Sequence, residues 1–281
     1  MHLKRALVFC LLLAGMFVIS AADLGKPIVL SDLPAAVQKT INVQVGDGEL
    51  ADIEPTNEDG EATFDVSYST KAGDERDFSV ADDGTLLSVE VALDETPAAV
   101  QKTIRTQAAG WELESIDKNV ADVETSFDVD VSKEGHENNF TVADDGELVS
   151  MEVALAATPA VVQAAVKSQA ADRSLKSIDE SFDPDGNTFD VEMAAPDGGL
   201  KSFTLGTDGR MLTEAVSLKQ IPPPARKTIK EKIGDGRILR IDRSLVEKKD
   251  GVLPYNVQGR KDGRPFDFSV GPHGRFLGLD E

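Results

Sequence analysis

The sequence predicts an α+β fold of four tandem units, each a short helix packed on a three- to four-stranded antiparallel sheet. Three observations predict it. A proline-led segment recurs four times at nearly constant spacing. Each copy opens with apolar residues at helical spacing and continues with apolar–polar alternation of period two.

The recurrence comes first. Leu33-Pro34-Ala35-Ala36-Val37-Gln38-Lys39-Thr40-Ile41 returns as Thr96-Pro97-Ala98-Ala99-Val100-Gln101-Lys102-Thr103-Ile104, then from Thr158-Pro159 to Val166, and in diverged form from Ile221-Pro222 to Ile229. The prolines stand 63, 62 and 63 residues apart. Ile41, Ile104, Val166 and Ile229 are each followed 12 positions later by Ile53, Ile116, Ile178 and Ile241. Next come Phe64, Phe127, Phe189 and Tyr255, then Phe78, Phe140, Phe203 and Phe268, each six residues before Gly84, Gly146, Gly209 or Gly274. The units are read as residues 30–93, 94–156, 157–218 and 219–281, behind a leader at 1–22.

Proline suits a helix start, where its missing N–H has no partner to lose. Thr96 and Thr158 are placed to cap the free amides behind it. Val37 and Ile41, like Val100 and Ile104, share one helix face. Gly46-Asp47-Gly48, Gly110 and Gly234-Asp235-Gly236 end the helices. Strand alternation follows in Phe64-Asp65-Val66-Ser67-Tyr68, Phe127-Asp128-Val129-Asp130-Val131, Phe189-Asp190-Val191-Glu192-Met193 and Tyr255-Asn256-Val257. This pattern gives a sheet covered on one face and solvated on the other. Asp82-Asp83-Gly84 reads as a tight hairpin turn, and its return strand carries Leu87, Val89 and Val91 on one face. Leu50 and Ile53, three apart, call for a bulge or a helix–strand junction. A unit of about 62 residues is marginal alone, so edge-to-edge joining into two pairs or a linear array is expected.

Residues 1–22 read as an export signal: basic Lys4 and Arg5, an apolar run from Ala6 to Ile19, and Ser20-Ala21-Ala22 as the cleavage site. The run is shorter than the ~20 residues of a membrane-spanning helix, and no later stretch approaches that length, so no integral membrane segment is expected after its removal. The only cysteine, Cys10, lies inside it. A disulfide scaffold, a thiolate metal site and a cysteine nucleophile are thereby excluded from the mature chain. An extracytoplasmic protein, periplasmic or secreted, is expected.

The charge is −21 over the whole chain and −23 once Lys4 and Arg5 are gone. Residues 219–281 hold 14 Lys and Arg against 9 Asp and Glu, a local +5, so residues 23–218 carry −28. Such an acidic body repels phosphate backbones, and nucleic acid is not expected as a partner. The basic fourth unit either complements the acidic part of its own chain or docks on another copy.

Taken together, Pro-x-x-Val/Ala-x-x-x-Ile, the later Ile, Phe/Tyr-x-Val, and Phe-x-Val before Asp-Gly and Leu resemble the PepSY-like module. That module is similar in shape to the secreted beta-lactamase-inhibitor proteins, which carry two tandem copies. The resemblance covers nearly all of residues 30–281. The fourth copy departs from it most, with His273 at the turn aspartate and Pro222-Pro223-Pro224 at the helix start. The resemblance implies an extracytoplasmic, non-catalytic binding protein, in some members an inhibitor of a secreted enzyme.

Little in the residues speaks for catalysis. His136 and His273 are isolated, no Gly-x-Ser-x-Gly elbow is present, and Gly46-Asp47-Gly48-Glu49-Leu50-Ala51 follows a helix, the reverse of the dinucleotide-binding context. Asp183-Pro184-Asp185-Gly186-Asn187 lacks the glycine and glutamate positions of a calcium loop. No enzyme activity and no cofactor are expected. The partner-binding candidates are Asp65, Asp128, Asp190 and Asn256, which hold the same position on the solvated face of successive units. Trp111 joins them, as an exposed anchor or as a local cap over the sheet edge. The expected partner is a protein with a basic surface. Self-association through the fourth unit and binding of cations by the acidic surface are the alternatives.

Overall fold

The computed structural model describes residues 28–58, 61–121, 124–184, 186–196, 198–247, 251–261 and 264–278. The leader, with Cys10, and Asp185 lie outside the described residues. In the first block, α1 (Ala35–Val45) precedes β1 (Glu49–Glu58), β2 (Glu61–Ser69), β3 (Glu75–Ala81) and β4 (Leu86–Glu90). The second has α2 (Ala98–Gln107), β5 (Glu112–Asn119), β6 (Ser126–Lys133), β7 (His136–Ala143) and β8 (Leu148–Glu152). The third has α3 (Ala160–Ala170), β9 (Ser174–Ser181), β10 (Thr188–Ala194), β11 (Leu200–Gly206) and β12 (Met211–Ala215). The fourth has α4 (Pro223–Ile233), β13 (Arg237–Ser244), β14 (Tyr255–Lys261), β15 (Arg264–Val270) and β16 (Phe276–Gly278).

Four units, each a helix on its own three- to four-stranded sheet, as the repeats led us to expect, do not form. All sixteen strands pair in chain order, β1 to β16, in one antiparallel sheet that carries the four helices. The correction has a simple cause. Period-two alternation reports which face of a strand is buried and says nothing about its lateral neighbour, whereas an unpaired strand edge demands a partner. The last strand of each block finds it in the first strand of the next. Val89 pairs with Lys118, Met151 with Glu180, and Glu214 with Arg243. Flanking bonds extend each junction, as from Val91 N–H to the Ile116 carbonyl at 2.9 Å and from Val153 N–H to that of Ile178 at 2.8 Å.

The apolar face packs in four clusters. Val37 and Ile41 meet Ile53, Phe64, Val66, Phe78 and Val80. Val100 and Ile104 meet Ile116, Phe127, Val129, Val131, Phe140 and Val142. The third cluster centres on Val162, Val166, Phe203 and Leu205, and the fourth on Ala225, Ile229, Ile241, Val257 and Phe268. Phe78 and Phe203 are buried to 2 % and 0 % exposure, and removing such a ring costs roughly 3–5 kcal/mol.

Bulges keep the landmarks in register. The first strand of every block carries an extra residue, at Ala51, Glu114, Lys176 and Leu239, which brings Leu50 and Ile53 onto one face. The returning strands also bulge, in the first block at Leu87. Leu86 and Val89 therefore face the first cluster and Val91 packs on the second, in place of the expected face of Leu87, Val89 and Val91.

Helix starts also differ from expectation. Pro34, Pro97, Pro159 and Pro222 occupy the cap position itself. Thr96 and Thr158 cap no amide; each donates its hydroxyl to a preceding carbonyl, Leu93 at 2.8 Å and Leu155 at 2.9 Å. Each helix lies against a hairpin turn. Gly84 has φ +87°, and a Cβ there would come within 2.7 Å of the Ala36 backbone. Thr40, Thr103 and Thr228 donate to the carbonyls of Gly84, Gly146 and Gly274 at 2.6, 2.6 and 2.7 Å. The third block has Ala165 at this position and lacks the clip.

Candidate partner-binding face

Directly paired residues of neighbouring strands point to the same face, so the face opposite the helices can be followed along the ladders. Asp65, Asp128, Asp190 and Asn256 all lie on it, half-buried between core residues. Each faces a hydroxyl on the next strand: Asp65 opposite Ser79, Asp128 opposite Thr141, Asp190 opposite Thr204, and Asn256 opposite Ser269. Each hydroxyl donates to the acid or amide oxygen, at 2.5, 2.7, 2.6 and 2.8 Å respectively. Asp128 also accepts from Asn119 Nδ2 at 2.8 Å, and Asp190 from Ser181 Oγ at 3.1 Å.

The four positions are not brought together. They sit on β2, β6, β10 and β14, four strands apart, which at ~4.8 Å per strand is roughly 19 Å. Instead, each gathers a different set of neighbours. Glu90, Asp117 and Asp128 stand directly opposite one another on β4, β5 and β6. Glu152, Asp179 and Asp190 repeat this on β8, β9 and β10. In the first block Glu54 opposes Asp65. In the fourth the row reads Ala215, Asp242, Asn256, and Asp242 accepts from Arg240 Nε at 2.6 Å. The acidic rows of the second and third blocks thus have a charge-compensated counterpart in the fourth.

Asp117 and Asp179 were not among the candidates read from the sequence, although a signal existed. Each landmark isoleucine is followed by an acid: Ile53-Glu54, Ile116-Asp117, Ile178-Asp179 and Ile241-Asp242. Because the isoleucine points into the core, the acid must point to the open face.

The rows strain their own charge. Burial pushes the Asp117 carboxyl up to about 7, Ser115 draws it down, and Glu90, Asp130 and Asp128 push it further up. Ser115 has one hydroxyl proton, yet its oxygen lies 3.2 Å from Asp117 Oδ2 and 3.0 Å from Asp130 Oδ2, so it can serve one of the two at a time. Asp130 is raised as well, mainly by burial. Burial and Asp179 raise Glu152; burial, opposed by Ser177 and reinforced by Asp190, raises Asp179. Among the described residues Asp117, Asp130, Glu152 and Asp179 form no ion pair, and a cation brought to the face would favour their charged forms.

Trp111 is half-buried and packs on the edge of the second cluster, the position of a local cap. Its N–H bond from the backbone reaches the Ala108 carbonyl at 2.9 Å, closing the turn after α2. His136 and His273 are exposed. Among the described residues no group of three or more His, Cys, Asp or Glu side chains is arranged to hold a metal ion, and no helix is long and apolar enough to cross a membrane. Several basic side chains of the fourth block are paired at home: Arg243 with Glu214 across the junction from the third block, and Lys261 with Asp235 at 2.5 Å.

No family model matches the chain, and no curated protein matches it. Among solved structures, a DUF2874 family protein from Bacteroides ovatus is similar at 13 % identity and a TM-score of 0.32, over 42 % of this chain and 86 % of its own. A Bacteroides thetaiotaomicron protein, provisionally described as a calcium-regulated periplasmic protein, is similar at 12 % identity and a TM-score of 0.30, over 44 % of this chain and 94 % of its own. A provisionally periplasmic protein from Bacteroides eggerthii is similar at 16 % identity and a TM-score of 0.32, over 42 % of this chain and 87 % of its own. Each likeness spans less than half of this chain, and no function is transferred from it.

Proposed function

We propose that this chain is an exported, non-enzymatic binding protein whose open sheet face receives a cationic protein partner, in the manner of a regulator or inhibitor of a secreted or periplasmic enzyme. The observation that carries the reading is the pair of opposed carboxylate rows, Glu90–Asp117–Asp128 and Glu152–Asp179–Asp190, with Asp117 pushed up to about 7. Stability alone gives no reason to stack like charges directly across strands, where they are unfavourable. A lysine- or arginine-bearing surface laid on the face offsets that repulsion on binding, and the complementary charge accelerates encounter. The leader-like residues 1–22 support export, and the PepSY-like repeat supports a binding role.

The test combines capture with neutralisation. The chain is immobilised, exposed to extracytoplasmic extract of its source organism and eluted with a salt gradient. The experiment is then repeated with Glu90→Gln, Asp117→Asn, Glu152→Gln and Asp179→Asn combined. A stoichiometric basic protein that binds the wild type and elutes at clearly lower salt from the variant is expected. A partner held equally by both proteins, or no retained protein at low salt, overturns the reading.

A further inference from the structure

We propose that Pro55 closes the β1 edge of the sheet, which no other described strand pairs, against strand addition by a second copy of the chain. The three internal junctions are one interface used three times. At the first, Val91 N–H donates to the Ile116 carbonyl at 2.9 Å and Val120 N–H to that of Leu87 at 3.0 Å, with Val89 opposite Lys118 between them. Hydrogen-bonded pairs alternate along an antiparallel ladder, so Lys118 and Val89 form the central hydrogen-bonded pair. The same holds for Glu180 with Met151, between the Val153–Ile178 and Phe182–Val149 bonds, and for Arg243 with Glu214, between the Val216–Ile241 and Leu245–Leu212 bonds.

Lys118, Glu180 and Arg243 each stand two residues after the landmark isoleucine, and the residue in that place on β1 is Pro55, after Ile53. β1 is the first strand of the sheet, with β2 on one side, so its other edge is the surface that β5, β9 and β13 give to the preceding block. Proline has no N–H to donate there, and its ring occupies the place of the arriving strand. Its pairing with Phe64 on β2 is unaffected, because the backbone groups of that position face outward. Glu54 and Pro55 are exposed, whereas the equivalent Asp117 and Lys118 are half-buried under their neighbours. The edge is thus built like the internal junctions, with its central donor deleted.

Sedimentation equilibrium of the full chain over about 2–200 µM tests this against Pro55→Lys, which copies the second block, and Pro55→Ala, which restores the amide with a minimal side chain. Both variants should self-associate at least about tenfold more tightly than the wild type, with the amide of residue 55 gaining hydrogen-exchange protection as concentration rises. Equal behaviour of the wild type and whichever variant gives the wild-type circular dichroism spectrum, monomeric or associated, overturns the proposal. So does association that leaves the residue 55 amide unprotected. These readouts do not depend on the acidic rows, so they stand or fall apart from the binding reading.

Discussion

Asp117→Asn raises stability at pH 8 by about 2 kcal/mol or more and leaves it nearly unchanged at pH 4. The folded carboxyl, pushed up to about 7, lies above its ordinary value of 3.8. Between those values the folded state holds a proton that the unfolded state has released, so stability falls as pH rises through this window and levels off above about 7. Raising this one carboxyl from 3.8 to about 7 corresponds to roughly 4 kcal/mol at most. Asp130, Glu152, Asp179 and Glu192 are raised too, mainly by burial, and contribute with the same sign. The wild type therefore loses stability between pH 4 and pH 8, and the asparagine variant loses visibly less. Urea unfolding at the two pH values measures both. A variant no more stable than the wild type at pH 8 contradicts the reading of a strained carboxylate row.

Gly146→Ala costs about 2–4 kcal/mol, while Gly135→Ala costs about 1 kcal/mol. Both glycines have positive φ, +90° and +81°, so each alanine incurs the left-handed backbone penalty of about 1–2 kcal/mol. They differ in surroundings. A Cβ on Gly146 would come 2.7 Å from the Ala99 carbonyl carbon and from its Cβ, whereas nothing lies within 4 Å at Gly135. The contact also displaces the Gly146 carbonyl from the Thr103 hydroxyl, 2.6 Å away. Thermal or urea unfolding of the two variants under the same conditions isolates the helix–turn contact. Equal losses would mean that the close approach of α2 to this turn adds nothing.

Much of the chain's local organisation was legible because the repeats restate it. Phe64, Phe127, Phe189 and Tyr255 mark the buried side of a strand in each block, and the alternation around them places Asp65, Asp128, Asp190 and Asn256 on the other side. The single sheet was not singled out: unpaired edges called for joining into two pairs or a linear array, and nothing in the pattern chose between them. Whether Val89 finds Lys118 or solvent is a non-local choice, and alternation within one strand is identical in both cases. Bulges were only partly visible: the Leu50–Ile53 spacing demanded one, while the extra residue at Leu87 left no mark in the pattern. Asp117 was missed for a related reason. Singly it is one acid among 50, and it becomes distinctive only when Glu90 and Asp128 arrive from neighbouring strands.

The most direct test of the binding account follows the side-chain carboxyl carbons of Asp and Glu by NMR at pH 7.5 while an oligolysine peptide is added as the cationic probe. The account predicts that Glu90, Asp117, Asp128, Glu152, Asp179 and Asp190 shift together and saturate at low salt, with the carboxyls of the fourth block unmoved. Shifts spread evenly over exposed turn acids such as Asp82, Asp83 and Asp144, or absent from the two rows, would contradict it.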